Sequence, residues 1–141
     1  MALVLPYLVN RVVRFMLNHK LPEQTKLDIP ACVSRALIED IGEGDITAIL
    51  IPEHEIAKAE ISANETAVLC GKAWVNEVFV QLDENVQLTW HVEEGHLFDP
   101  GTNIATIIGN ARSLVSGERT ALNFLQTLSA TATCARHYSL A

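Results

Sequence analysis

VQLTWHVEEGHLFDPGTNIATIIG, residues 86–109, contains three short apolar runs that two turn sequences separate. The runs are VQLTWHV, GHLF and NIATIIG, and the turns are EEG and DPG. Short apolar runs bounded by glycine and proline are typical of β-strands joined by tight turns. This stretch therefore predicts three short strands of a mostly antiparallel sheet.

Helices are expected on the N-terminal side of the chain. Apolar residues recur at three- and four-residue steps over 3–19, and this spacing predicts a helix there. KLPEQTKLDIP, residues 20–30, is expected to be a loop. A second helix is expected over about 31–40, with Pro30 near its first turn, where proline is tolerated. Its inward residues are expected to be Val33, Ala36 and Leu37.

The middle of the chain combines strand and helix patterns. Residues 57–71, AKAEISANETAVLCG, alternate enough to predict one strand followed by a second short one. Residues 71–82, GKAWVNEVFVQL, follow the helical period, and the segment from about 111 onward is helical to residue 141. This order of helices and strands predicts an α+β fold with a mostly antiparallel sheet. The inward face of the 71–82 helix is expected to carry Trp74, Val75, Val78, Phe79 and Leu82.

Composition restricts the class of protein. The 141 residues are 49% hydrophobic and carry 17 acids against 10 bases, for a formal charge of −7. This charge disfavours nucleic acid and membrane surfaces as partners, and no apolar stretch is long enough to predict a membrane-spanning helix. Cys32, Cys70 and Cys134 are far apart and form no paired motif. We therefore expect free, buried thiols and a cytoplasmic protein.

DIGEGDIT, residues 40–47, resembles a ligand-binding loop only superficially. Its three carboxylates would repel a phosphate, and it lacks the distal glutamate of a calcium loop. The two glycines indicate a tight turn instead.

Other candidate motifs favour solvated or structural residues. HVEEGH at 91–96 has two histidines at a spacing that is more typical of solvated strand ends than of a metal site. Cys134 and His137, three apart on a helix, are a weak catalytic signal. The hairpin-rich stretch at residues 92–109 resembles biotinyl and lipoyl carrier domains, which need an exposed lysine at a hairpin tip. Neither Lys58 nor Lys72 is expected at such a tip, so a carrier function is not expected. We expect neither a metal site nor a catalytic residue in this chain.

The C-terminal helix carries one arginine at the edge of its apolar stripe. Leu114, Leu122 and Leu125 share a face, joined by Ala121, Leu128 and Ala132. Arg112, Arg119 and Gln126 recur every seven residues beside that stripe, with Asn123 next to them. Arg119 either extends its head group to water or offers a fork of donors to a carboxylate or phosphate at an interface. The pattern alone leaves both interpretations open.

Three motifs in order resemble the quinolinate phosphoribosyltransferase family, also called carboxylating nicotinate-nucleotide pyrophosphorylases. They are EDIGEGDIT at Glu39–Thr47, CGKAWVNEVF at Cys70–Phe79 and GERTALNFLQTLS at Gly117–Ser129. The resemblance covers about residues 27–138. One departure is Ala130, where the family usually has a glycine after the serine of its LS pair.

The resemblance implies a fold and an activity. The family fold is an open-faced, hammerhead-like α/β sandwich followed by a (β/α) barrel that contains the catalytic centre. We accordingly divide this chain into an N-terminal helical extension at 1–26, the sandwich at 27–110 and the helix leading to the barrel at 111–141. The family enzyme transfers phosphoribosyl from phosphoribosyl pyrophosphate to quinolinate, giving nicotinate mononucleotide, CO₂ and pyrophosphate for NAD biosynthesis. It uses Mg²⁺ and forms a head-to-tail homodimer.

The resemblance also assigns a role to Arg119. By its position in the GERT motif, this residue is expected to bind a quinolinate carboxylate in the partner subunit's site. We expect the chain to be the N-terminal portion of a longer enzyme, inactive alone, binding no metal, with exposed leucines (Leu122, Leu125, Leu128) that favour self-association. Two alternatives are a free-standing, non-catalytic binding or oligomerisation module and a related phosphoribosyltransferase with another substrate.

Overall fold

A computed structural model describes residues 20–42 and 44–141, and the helix predicted over 3–19 lies outside these residues. The four described helices and five strands follow one another as two helices, two strands, one helix, three strands and one long helix. They are α1 (Glu23–Ile41), α2 (Ile46–Ile49), β1 (Ile56–Ser62), β2 (Ala67–Val68), α3 (Lys72–Leu82), β3 (Gln87–Trp90), β4 (Leu97–Phe98), β5 (Asn103–Asn110) and α4 (Ala111–Leu140).

The strands form two antiparallel sheets, as the turn-rich sequence predicts. The larger sheet has the order β1-β5-β3, and the smaller one pairs β2 with β4. In the larger sheet Ala59 and Leu88 both lie opposite Ile107, whereas Lys58 and Gln87 both lie opposite Ile108. Since successive residues of a strand point to opposite faces, these two sets lie on different faces of the sheet.

Only one face of the larger sheet is packed against the core. Ala105 and Ile107 of its central strand are buried, and Leu88 and Trp90 pack against the same core. Lys58 and the side chains that share its face are largely exposed. An antiparallel sheet with one solvated face gives the alternating pattern seen in the sequence. The predicted α+β fold with an open-faced sheet is therefore confirmed.

Helix α1 begins earlier than the sequence pattern predicts. The loop expected at 20–30 is limited to residues 20–22, and the rest of that expectation is wrong, because the helix starts at Glu23 and contains Pro30 in its interior. Ile29 is buried with Val33 and Leu37, and these residues repeat every four positions along one face. Ile29 precedes Pro30 in the chain and contacts the core. This packing stabilises the first two turns of α1, which the proline disfavours. Val33 and Leu37 are buried as expected, and Ala36 is half-buried.

The short helix α2 was not predicted. It begins after Asp45, whose Oδ1 accepts hydrogen bonds from the amides of Thr47 (3.0 Å) and Ala48 (3.2 Å). This is an ordinary N-cap, in which an aspartate satisfies amides that have no partner within the helix. Four residues are too few for a periodic apolar pattern, so only the cap could have signalled the helix.

Helices α3 and α4 pack against each other and complete the core. Val75, Val78 and Phe79 of α3 are buried, and Trp74 and Leu82 are partly buried, as the helical period predicts. Helix α4 is capped by Asn110, whose side chain accepts a hydrogen bond from the amide of Arg112 at 3.0 Å. Its buried residues are Ala111, Leu114, Gly117, Thr120, Ala121, Leu125 and Ser129.

Two expectations about side-chain exposure are wrong. Leu125 is buried and Leu122 and Leu128 are half-buried, because α4 lies on the core of this same chain. Its large exposed apolar side chains are instead Tyr138 and Leu140, near its C-terminal end. The three cysteines are free, but none is fully buried: Cys32 and Cys70 are half-buried and Cys134 is exposed on α4. Within residues 20–42 and 44–141, no helix is both long and apolar enough to cross a membrane.

Candidate functional site

A polar cleft of about 600 Å³ lies between α4 and the turn that joins α1 to α2. Residues 40–47, apart from Gly42 and the undescribed position 43, supply one wall. The other wall is one side of α4, with Ser116, Arg119, Asn123 and Gln126 among its lining residues. The cleft therefore brings together two of the three sequence motifs that carry the family resemblance.

Two aspartates that flank the turn, Asp40 at the end of α1 and Asp45 at the start of α2, attach it to α4. The Thr120 hydroxyl donates to Asp40 Oδ2 at 2.9 Å, and the Ser116 hydroxyl donates to Asp45 Oδ2 at 3.0 Å. Ser116 and Thr120 are four residues apart, so they lie on one face of the helix. Two of the three carboxylates that argue against a phosphate loop thus serve as acceptors for a helix, which agrees with the interpretation of this segment as a structural turn.

Arg119 lies at the rim of the cleft. Its side chain is 77% exposed, and its Nη1 is 3.4 Å from Oδ1 of Asp40, whose side chain is only 19% exposed. Among the described residues, Asp40 is the one hydrogen-bond partner of this guanidinium. Such an exposed ion pair contributes little to stability. The arrangement leaves most donors of Arg119 directed toward solvent.

The polar ridge of α4 divides into two parts with different roles. Arg112 donates from Nε to the carbonyl oxygen of Ile51 at 2.7 Å and is half-buried, so it holds the segment after α2. Asn123 and Gln126 are exposed and line the same cleft as Arg119. Of the two arginines of the ridge, Arg119 is the one that lines the cleft.

The other motifs lie away from this cleft. His91 shares a hydrogen bond with Thr106 at 2.8 Å, and Lys58 pairs with Glu60 at 2.8 Å on the open face of the sheet. Lys72 lies in the first turn of α3, 5.4 Å from the centroid of the Trp90 ring. Among the described residues, no three His, Cys, Asp or Glu side chains are grouped as metal ligands would be.

A second charged arrangement, which the sequence did not predict, lies at the start of α3. Glu94 accepts hydrogen bonds from the amides of Gly71 (2.7 Å) and Lys72 (3.1 Å). Burial, together with the charge and hydrogen bond of Glu94, raises the pKa of the Cys70 thiol from 9.0 to about 12. A carboxylate at a helix N-terminus is favoured by the unpaired amides and the helix dipole. This arrangement is therefore a helix cap.

Sequence reasoning found Arg119 but missed its partner Asp40. The two residues are 79 positions apart, and no local pattern links them. The available signal was the EDIGEGDIT motif itself, since it is one of the three pieces that carry the family resemblance. An open-faced α+β sandwich with an exposed arginine at the rim of a polar cleft defines the class of this domain.

Comparison with known proteins identifies the family within that class. The family described as quinolinate phosphoribosyl transferase, N-terminal domain, matches residues 45–129. The chain belongs to this family, which confirms the resemblance seen in the sequence motifs.

Relatives and solved structures agree with this assignment. The probable carboxylating nicotinate-nucleotide pyrophosphorylase of Bacillus subtilis is 39% identical over 110 residues, which are 78% of this chain and 38% of that protein. The chloroplastic carboxylating enzyme of Oryza sativa is 32% identical over 114 residues, or 79% of this chain and 31% of that one. The structure of the nicotinate-nucleotide pyrophosphorylase from Francisella tularensis superposes with a TM-score of 0.75 at 39% identity, covering 81% of this chain and 40% of its own. This chain thus spans about two fifths or less of the length of each.

Proposed function

We propose that this chain is the N-terminal part of an enzyme that transfers phosphoribosyl from phosphoribosyl pyrophosphate to quinolinate. The products would be nicotinate mononucleotide, CO₂ and pyrophosphate, and the pathway would be NAD biosynthesis. The supporting observation is the largely exposed guanidinium of Arg119 at the rim of the cleft, within the GERT motif. A surface arginine with few contacts of its own is suited to bind an anion that comes from outside the chain.

The chemistry of the proposed substrate suits this residue. Quinolinate is a pyridine dicarboxylate, and an arginine can bind a carboxylate through two parallel N–H···O bonds. The one contact of Arg119, to Asp40, uses Nη1. The Nε and Nη2 donors on the other edge of the guanidinium are then available for a carboxylate. We propose that they bind a quinolinate carboxylate in the partner subunit's site of a homodimer.

The remaining parts of the catalytic centre are assigned to the rest of the enzyme. Phosphoribosyl pyrophosphate is highly charged and needs several converging bases, whereas this chain has ten bases at a net charge of −7. Mg²⁺ would neutralise part of the pyrophosphate charge when bound, but the described residues alone do not fit a magnesium site. We therefore expect the 141-residue chain by itself to form no nicotinate mononucleotide.

The free cysteines support a reducing compartment, and we propose the cytoplasm. The rice relative is named as chloroplastic and one tobacco relative as mitochondrial. Fractionation of cells that express the native gene would decide between the cytoplasm and an organelle.

Replacement of Arg119 by lysine in the full-length enzyme tests the proposed role. Lysine keeps the charge but loses the planar fork, so the two-bond contact with a carboxylate cannot form. We expect the KM for quinolinate to rise by roughly 10- to 150-fold, equivalent to about 1.5–3 kcal/mol. The KM for phosphoribosyl pyrophosphate should change much less. Steady-state kinetics with each substrate varied in turn would measure both.

Arg136→Lys is a matched control, since Arg136 is an exposed arginine farther along α4 and does not line the cleft. It should leave both KM values near those of the parent enzyme. Equal losses for the two substrates in Arg119→Lys would contradict a specific role in binding quinolinate. Unchanged kinetics would show that Arg119 only extends its head group into water.

A further inference from the structure

Asp40 holds a fixed position from which it contacts Arg119. Its side chain is largely buried, and its Oδ2 accepts a hydrogen bond at 2.9 Å from Thr120, which is itself buried. Its Oδ1 faces Nη1 of Arg119 at 3.4 Å. One carboxylate thus contacts two successive residues of α4, the buried threonine through one oxygen and the exposed arginine through the other.

This geometry would orient the arginine. A free arginine side chain populates many rotamers, and ordering it on binding a ligand costs conformational entropy. Contact at Nη1 restrains one edge of the guanidinium while the edge formed by Nε and Nη2 remains available. A second fixed carboxylate on that other edge would have blocked the ligand, but among the described residues Asp40 is the one hydrogen-bond partner.

We propose that Asp40 is a positioning residue for the binding of quinolinate, acting through Arg119 with Thr120 as its anchor. This inference rests on the proposed function, because it presumes that Arg119 binds the substrate. The turn at residues 40–47 then has a role beyond chain reversal. Its first aspartate prepares the substrate-binding arginine, and Asp45, bonded to Ser116, attaches the end of the turn to the same helix.

Asp40→Asn in the full-length enzyme is the direct test. Asparagine can still accept the hydrogen bond from Thr120 but carries no charge to hold the guanidinium. We expect the KM for quinolinate to rise by about three- to fivefold, the scale of one exposed ion pair. The kcat and the KM for phosphoribosyl pyrophosphate should stay within about twofold, since the lost contact affects ground state and transition state alike.

A double-mutant cycle separates positioning from a structural effect. Arg119→Gln alone should raise the KM for quinolinate, and Asp40→Asn added to it should have less than about a 1.5-fold further effect, because the two residues act as one unit. Asp99→Asn is the matched control, since Asp99 also accepts a hydrogen bond from a threonine, Thr66, at 3.2 Å but lies outside the cleft. It should leave the quinolinate KM unchanged.

Each outcome of the cycle has a distinct meaning. Independent, multiplicative effects of Asp40→Asn and Arg119→Gln would overturn the positioning role, as would an unchanged KM in Asp40→Asn. A lower KM would overturn it too, since it would mean that Asp40 competes with the substrate for Arg119. If Asp40→Asn does not fold, Thr120→Val tests the same role, because it removes the hydroxyl that holds the Asp40 carboxylate in place. If Arg119→Gln itself leaves the KM for quinolinate unchanged, the proposed function fails first.

Discussion

At the scale of single residues, Gly117 sets how closely α4 approaches α3. A Cβ at this position would lie 2.8 Å from Cε1 of Phe79 and 2.9 Å from Cδ1 of Leu82. Phe79 is buried and well packed, so it cannot easily move away. Glycine is unfavourable in a helix, but at position 117 it allows α4 to pack closely against α3.

Gly117→Ala is expected to destabilise the 141-residue chain by about 1–3 kcal/mol, as overpacking of a core usually does. In an exposed helical position the same change would stabilise the chain by up to about 1 kcal/mol. Ala130→Gly, at an exposed position of the same helix, is the control and should cost about 1 kcal/mol through helix propensity alone. Urea unfolding would measure both free energies. A more stable Gly117→Ala variant would contradict the close contact.

The cysteines should differ sharply in reactivity. Because the thiolate is the nucleophile, the pKa of about 12 at Cys70 leaves that thiol almost fully protonated at pH 8. We expect iodoacetamide at pH 8 to modify exposed Cys134 at least about a hundredfold faster than Cys70. Mass spectrometry of peptides over time would measure the two rates, with the chain unfolded in urea as the control. Equal rates in the native chain would be inconsistent with the raised pKa.

The pH dependence of stability at Cys70 follows from the same shift. The pKa of this thiol is higher in the folded chain than its ordinary value of 9.0. Below pH 9 both states hold the proton, so the thiol adds no pH dependence there. Between pH 9 and about 12 the unfolded state alone loses the proton, and folding stability therefore decreases as pH rises through this range.

At the scale of elements, α3 depends on a cap that comes from a distant turn. Gly71, the N-cap residue of α3, has no side chain that could cap the helix. The Glu94 carboxylate instead accepts hydrogen bonds from the backbone amides of Gly71 and Lys72. Glu94→Gln should destabilise the chain by about 1–2 kcal/mol, through loss of charge and of one acceptor oxygen.

Glu93→Gln provides the matched control for this prediction. Glu93 is the neighbouring residue, and its 76% exposed carboxylate pairs with Lys72 at 3.4 Å. An exposed pair of this kind should contribute less than about 1 kcal/mol. Thermal and urea unfolding of the two variants would give the comparison. Equal losses of unfolding free energy in the two variants would contradict the capping role of Glu94.

The elements that the sequence predicts well have either a long apolar period or turn residues that bound them. Helices α3 and α4 are recognisable because helical spacing follows directly from which face is buried. The five strands are recognisable from alternation and from the turn residues between them. Helix α1 begins earlier than the sequence pattern predicts, because the core contact of Ile29 outweighs the unfavourable effect of Pro30 on the helix. This is a tertiary effect, which local sequence rules do not contain. Helix α2 was missed because four residues carry no period at all, only the cap at Asp45.

At the scale of the whole molecule, the candidate site could be predicted only in part. The family motifs identified Arg119, but its contact with Asp40 depends on how α1 and α4 pack. Likewise, Arg112 and Arg119 look equivalent in the seven-residue ridge, yet one is tied to the carbonyl of Ile51 and the other is exposed. Long-range packing decides which polar residue becomes available, and a sequence pattern contains no such information.

The proposed sharing of active sites between subunits makes a prediction about mixed dimers. Arg119→Gln subunits and subunits inactivated outside residues 1–141 should each be inactive or nearly so as homodimers. In a mixed dimer, one site would combine an intact remainder of the enzyme with the partner's intact Arg119. Random mixing gives half mixed dimers with one working site each, so about a quarter of the parent activity should return.

Separate affinity tags on the two subunit types would allow the mixed dimer to be purified and assayed directly. The purified species should then have about half the parent activity per dimer, since one of its two sites is complete. If Arg119 served the site of its own subunit, every site of the mixed dimer would contain one lesion and no activity would return. The absence of any dimer in analytical ultracentrifugation would contradict the proposal before the assay. Recovery of activity would instead explain why an arginine on this chain is so exposed, because its ligand would lie in the neighbouring subunit.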